Sequence, residues 1–102
     1  MHGESGLDGF AFPEPSIGAQ SGHAVDFIID TVTSQNDVIL VATAPVTNIA
    51  MAIRRELRLV GRLQEISLMC GSITAGNWTA AAEYNIWADP ESADIVFRSS
   101  IP

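Results

Sequence analysis

The sequence predicts an α/β fold: a partial parallel sheet with flanking helices. Three observations carry this. "VILVATA", residues 38–44, is a short continuous run rich in β-branched residues, the pattern of a strand covered on both faces. A second apolar run, "EISLM" at 65–69, follows a helical pattern, so strands and helices alternate. The 102 residues are 47% apolar, enough for one core of modest size and too much for a disordered tail.

Taken in order, residues 1–23 are rich in Gly, Pro, Ser and Glu and read as an irregular loop; residues 24–102 read as the α/β core segment. Ala24, Val25, Phe27, Ile28, Ile29 and Val32 form a helical stripe with Asp26 and Asp30 opposite, stopped by Ser34, Asn36 and Asp37. Pro45 ends the first strand. "VTNIAMAIRREL" then reads as an amphipathic helix with Ile49, Ala50, Ile53 and Leu57 on one side and Thr47 or Asn48 as its cap. The second strand, Glu65 to Met69, closes at Gly71. After the loop "AGNWTAAAEYNIWADP", Asp89 is a natural N-cap, Pro90 suits the first helical position, and Glu91 favours the positive end of the helix dipole. A parallel sheet normally needs more than two strands, and "SSIP" stands where another is due. The expectation is the central portion of a larger domain.

Composition narrows the function. No apolar run approaches the roughly 18 residues of a membrane span, and "MHGESGLDGF" lacks the basic and apolar regions of a signal peptide. Net charge is −7, and Arg54, Arg55, Arg58 and Arg62 alternate with apolar residues as the solvated face of a helix and its exit. Neither nucleic acid nor a membrane is the expected partner. The single cysteine, Cys70, permits no internal disulfide and suits a cytoplasmic location. It follows an apolar strand and reads as an inert, buried thiol. His2 and His23 lie in loop-like surroundings, not paired at metal-ligand spacing. The glycines of "GESG" and "GLDG" follow no strand, which argues against a phosphate loop.

In an open α/β sheet, ligands gather beyond the carboxyl ends of the strands. Two loops leave those ends, "TAPVTN" and "CGSITAGNWTAAAEYN". Within the second, Asn77 reads locally as a turn amide and Asn85 as an amide satisfying backbone groups. Glu83 is either exposed or deliberately paired, since an unpaired carboxylate among apolar residues is costly. Trp78 and Trp87 suit either stacking on a flat ligand or ordinary packing. Residue types alone leave these alternatives open.

Four segments in order resemble the inosine-uridine-preferring nucleoside hydrolases: "HGESGLDG" at 2–9, "ATAPVTNIAMAI" at 42–53, "ISLMCGSITAGN" at 66–77 and "AEYNIWADPESADIVF" at 82–97. The resemblance implies a Rossmann-like sheet and hydrolysis of the N-glycosidic bond of purine or pyrimidine nucleosides by a Ca²⁺-activated water. By the same resemblance Asn77, Glu83 and Asn85 are the ribose-binding set and Met69 lines the sugar pocket. His2 matches a histidine near the base, and the Thr47 main-chain carbonyl matches a Ca²⁺ ligand. The family's N-terminal aspartate run and its C-terminal His-Asp pair have no counterpart among these residues. Ala44 and Cys70 also stand where glycine is usual. No catalytic residue is therefore assigned here, and the isolated chain is expected to be inactive and to bind neither Ca²⁺ nor ribose tightly. The contrasting expectation is a non-catalytic α/β module, or half of a split protein, forming a homo-oligomer or self-associating through exposed sheet edges.

Overall fold

The computed structural model describes Gly6, Gly9 and residues 11–102. Helix α1 spans Ala24–Ser34, strand β1 Val38–Ala42 and helix α2 Thr47–Arg55. A 3-10 helix, Leu57–Gly61, leads into strand β2, Leu63–Leu68; helices α3, Tyr84–Ala88, and α4, Pro90–Phe97, follow the long loop. The strands pair in parallel, with Leu40 opposite Ile66 and Ala42 opposite Leu68. A register shift beside Val38 leaves Gln64 as the extra residue of β2.

The α/β reading and the parallel pairing hold, as do α1, α2 and α4. Several boundaries and faces differ from expectation. The α2 helix stops at Arg55, so Leu57 begins the 3-10 helix and is 71% exposed, while Leu59 turns in and is wholly buried. Neither Thr47 nor Asn48 caps α2: the N-cap is Val46, with no side-chain bond. His23 caps α1 instead, its Nδ1 accepting from the Val25 amide at 3.2 Å. Of the expected α1 stripe, Val25 and Val32 are buried but Phe27 is exposed. The single-turn helix α3 was not foreseen, because five residues are too few for a helical period to register.

The core lies on one face of the sheet, in two adjoining clusters. Val25, Val32, Ala52, Leu59 and Leu63 join α1 to α2 and the 3-10 helix. Val46, Ile49, Ala50, Ile53, Ala93 and Val96 join α2 to α4, with Leu40, Ala42, Ile66 and Leu68 packed beneath. Each fully buried Val or Leu contributes about 1.5–3 kcal/mol by burial. The opposite face is not covered as a doubly buried strand requires: Ile39 and Val41 are 49% and 67% exposed, and no described helix lies on that side. At the other edge of β2, the Ile66 amide donates to the Pro102 carbonyl at 2.9 Å, which sets the chain end beside the sheet.

Candidate functional site

The site region begins where β2 ends. The Met69 amide donates to the Ala42 carbonyl at 2.8 Å, extending the ladder one step past the end of β2. Gly71 then turns the chain at φ +74°, a conformation that favours glycine. Residues 72–83 have no regular structure, and side chains tie this loop down. Thr79 Oγ1 accepts from the Ala82 amide at 2.9 Å, and the Ser72 hydroxyl donates to the Ala75 carbonyl. At Gly76 a Cβ would run into the Thr79 and Ala82 backbones, so only glycine fits the turn that presents Asn77.

Glu83 is the hub. Its Oε1 accepts from the Asn85 amide at 2.9 Å, and its Oε2 accepts from the Ile86 and Gly71 amides at 3.2 and 3.1 Å. It thereby caps α3 and pins the start of the loop to its end. The Asn85 amide bond, assisted by the other two backbone bonds and by Asn77, holds the Glu83 carboxyl below the usual glutamate range against some desolvation. Asn77 Oδ1 accepts from the Tyr84 amide at 2.7 Å. Asn85, 7% exposed, donates through Nδ2 to the Met69 carbonyl at 2.9 Å. Asn77, Glu83, Asn85 and Met69 are therefore gathered at the carboxyl end of β2. The locally read roles are also met, since each polar side chain satisfies backbone groups. His2 lies outside the described residues, as do most of "GESG" and "GLDG".

Thr47 sits at the parallel position beyond β1, at the first turn of α2. Its hydroxyl donates to Asp89 Oδ2, which also accepts from the Ser92 hydroxyl at 2.6 Å, while Asp89 Oδ1 accepts from the Ser92 amide at 3.0 Å. The Ser92 hydroxyl, then the Thr47 hydroxyl and the Ser92 amide, hold the Asp89 carboxyl below the ordinary aspartate range. The cap expected at Asp89 is present, but its reach to Thr47 was missed. Nothing in local sequence marks a bond across 42 residues.

As a Ca²⁺ site these donors do not suffice. The ion takes about six to eight oxygens, largely carboxylate. Among the described residues no group of three His, Cys, Asp or Glu side chains could share a metal. Thr47 offers one main-chain oxygen, and the Asp89 carboxylate beside it is already engaged by Thr47 and Ser92. Cys70 is partly buried; desolvation, aided by the Glu83 charge, pushes its thiol up, away from nucleophilic use.

Trp78, Tyr84 and Trp87 form an exposed aromatic group beside the loop. Their ring centroids are 5.1 Å apart for Trp78 with each partner and 6.4 Å for Tyr84 with Trp87. The described residues include no helix long and apolar enough to cross a membrane.

Comparison with known proteins gives one consistent result. The sequence profile of the family described as "Inosine-uridine preferring nucleoside hydrolase" matches residues 1–102. A pyrimidine-specific ribonucleoside hydrolase RihA of Photobacterium profundum is 50% identical over all of this chain and 33% of its own length. Its Salmonella typhimurium counterpart is 48% identical with the same coverage. Among solved structures, a purine-preferring ribonucleoside hydrolase from Gardnerella vaginalis superposes on 99% of the chain with a TM-score of 0.91 at 39% identity, using 33% of its own length. A plant nucleoside hydrolase covers 96% of the chain at TM-score 0.82 and 31% identity, with 31% of its length. The chain thus spans about a third of the length of the relatives it matches.

Proposed function

Because the chain belongs to the inosine-uridine preferring nucleoside hydrolase family, we propose that it supplies the ribose-binding third of an N-ribohydrolase. The gathering of Asn77, Glu83 and Asn85 at the carboxyl end of β2 carries this reading. An ionised carboxylate accepts from sugar hydroxyls, and amides both donate and accept, so three such groups suit a polyol. The bond that breaks leaves an oxocarbenium-like sugar. A fixed carboxylate and oriented amide dipoles favour that charge more than they favour the neutral substrate. By the family resemblance alone, Met69 is assigned to the sugar side of the pocket, and His2, outside the described residues, to the base.

The relatives' names support the sugar over the base as what this third holds. One is named pyrimidine-specific and another purine-preferring, yet both match the same residues closely. Ribose is what their substrates share.

Calcium enters as a cofactor of the whole enzyme, with the Thr47 carbonyl as this chain's one contribution and carboxylates from elsewhere completing the shell. Residues 1–102 in isolation hold Ca²⁺ weakly and turn over no nucleoside. The setting is the cytoplasm, consistent with the lone Cys70. In the full-length gene product, Glu83→Gln and Asn77→Ala lower ribose release from inosine or uridine by about 10²–10³, the scale for removing a transition-state contact. Wild-type turnover in either variant would sink the ribose assignment. Calcium-dependent ribose release by purified residues 1–102 would sink the claim of inactivity.

The exposed Ile39 and Val41 face favours a second reading, self-association of the isolated chain. Light scattering that returns a monomer with a cooperative melt would dispose of it.

A further inference from the structure

Asp89 does more than cap a helix. An N-cap needs one acceptor for one amide, and the Ser92 amide on Oδ1 fills that role. Oδ2 is engaged separately, by the hydroxyls of Ser92 and Thr47. Thr47 is the first residue of α2, just after the loop that leaves β1, whereas Asp89 follows α3, which Glu83 caps and whose first turn carries Asn85. The bond therefore joins the helical segments that follow the two loops leaving the carboxyl ends of the sheet.

Traced around, the connections close. The Ala42 carbonyl takes the Met69 amide, the Met69 carbonyl takes the Asn85 side chain, and one helical turn leads from Asn85 to Asp89. Asp89 takes the Thr47 hydroxyl, and residues 43–46 lead back to Ala42. We propose that Asp89 is a positioning residue that locks the N-terminus of α2 to the ribose loop, holding Thr47 and the Asn77–Glu83–Asn85 set in one rigid frame. This rests on the ribose reading of those three residues. Hydrogen bonds closed into a ring resist distortion better than the same bonds in a chain, because opening one strains the others. A site that must hold ligand groups within about half an ångström needs such support from residues behind it.

The test separates the ring from the cap. Thr47→Val in the full-length gene product removes the cross-loop bond and leaves the Asp89–Ser92 cap in place. Thr47→Ser keeps the hydroxyl. Amide hydrogen exchange is read at Gly71, Tyr84, Asn85 and Ile86, whose N–H groups are held by Glu83 and Asn77. Thr47→Val should accelerate these about tenfold, the effect of one lost hydrogen bond, with Val25 and Leu59 unchanged and Thr47→Ser near wild type. Wild-type rates at those four amides in Thr47→Val overturn the proposal. If Thr47→Val loosens the whole molecule, the wild-type protein decides. Asn85 and Ser92 should then share one opening free energy across a denaturant series, and separate values overturn the ring. Ribose titration of the wild type, followed by the Asn77 and Asn85 side-chain signals, tests the ribose reading separately. No ribose binding defeats that reading while the exchange data still decide whether the ring exists.

Discussion

Two regions of this chain reach order by different means. Residues 24–68 are held by apolar side chains that stack from α1 through α2 onto the sheet. Residues 69–89 expose Met69, Ile73, Trp78, Tyr84 and Trp87 and are held by polar side chains reaching backbone amides and carbonyls. The first region draws its stability from burial, which is non-directional and tolerant of small shifts. The second depends on hydrogen bonds, each modest in net worth but strict in geometry. A polar ligand is better served by the second. On the proposed ribose reading, the groups that fix the loop are also those that would meet the sugar, and their backbone bonds set their aim in advance.

The comparison breaks most visibly at Leu59. This residue is wholly buried between α1, α2 and β2, so Leu59→Ala leaves a cavity and costs about 2–5 kcal/mol. Denaturant unfolding of the protein would show the loss as a lower midpoint. The loop counterpart, Ile73→Ala, should cost under about 0.5 kcal/mol and barely move the midpoint, because the Ile73 side chain is fully exposed. Equal losses at the two positions would erase the distinction between the regions.

That contrast also explains what could be read from sequence. Burial writes itself into hydrophobic period, so β1, α2 and the parallel pairing were legible from "VILVATA" and "TNIAMAI". Where the period is short it fails: Leu57 took the place of Leu59 because a helix continued past Arg55 on paper, while the chain tightens into a 3-10 turn. The two-faced burial expected of β1 is absent, since no described element covers Ile39 and Val41. In the loop, Asn77, Glu83 and Asn85 were each ambiguous alone, since a turn amide and a ligand amide look identical in sequence. Resemblance picked them out, and the structure adds that Glu83 pins Gly71 and caps α3. The Thr47–Asp89 bond carried no sequence signal, because both residues looked like ordinary helix starts.

Next in size is the loop's own geometry. At Gly76 any Cβ meets main-chain atoms of Thr79 and Ala82, which cannot swing aside as a side chain would. Gly76→Ala should therefore rearrange the turn bearing Asn77 and weaken ribose binding by tenfold or more, at about 1.4 kcal/mol per factor of ten. Core stability should stay near wild type. Calorimetric titration alongside thermal melting separates the two, and an unchanged ribose affinity would mean that Gly76 does not set the aim of Asn77.

Asn85 sharpens the comparison at a single buried group. Asn85→Ala leaves the Met69 carbonyl without its partner and should cost about 1–3 kcal/mol. The loss should appear as faster exchange in α3 before any change at Val25. Uniform loosening would instead make Asn85 part of the core.

The smallest effect concerns acid. Glu83 is held below the ordinary glutamate value of about 4.3 mainly by the Asn85 amide, so its contribution to order is complete above that value. As pH falls through the depressed folded-state value, the carboxylate takes a proton and its grip on the Gly71, Asn85 and Ile86 amides weakens. The Val25–Leu59 cluster contains no group that titrates there. Lowering the pH from 7 to 5 should therefore leave both regions untouched, whereas further acid should release the loop amides first. Tracking those amide signals against Leu59 between pH 5 and pH 2 gives the order of events. Simultaneous release would place Glu83 among the bonds that hold the core, and the loop would no longer be a separately ordered unit.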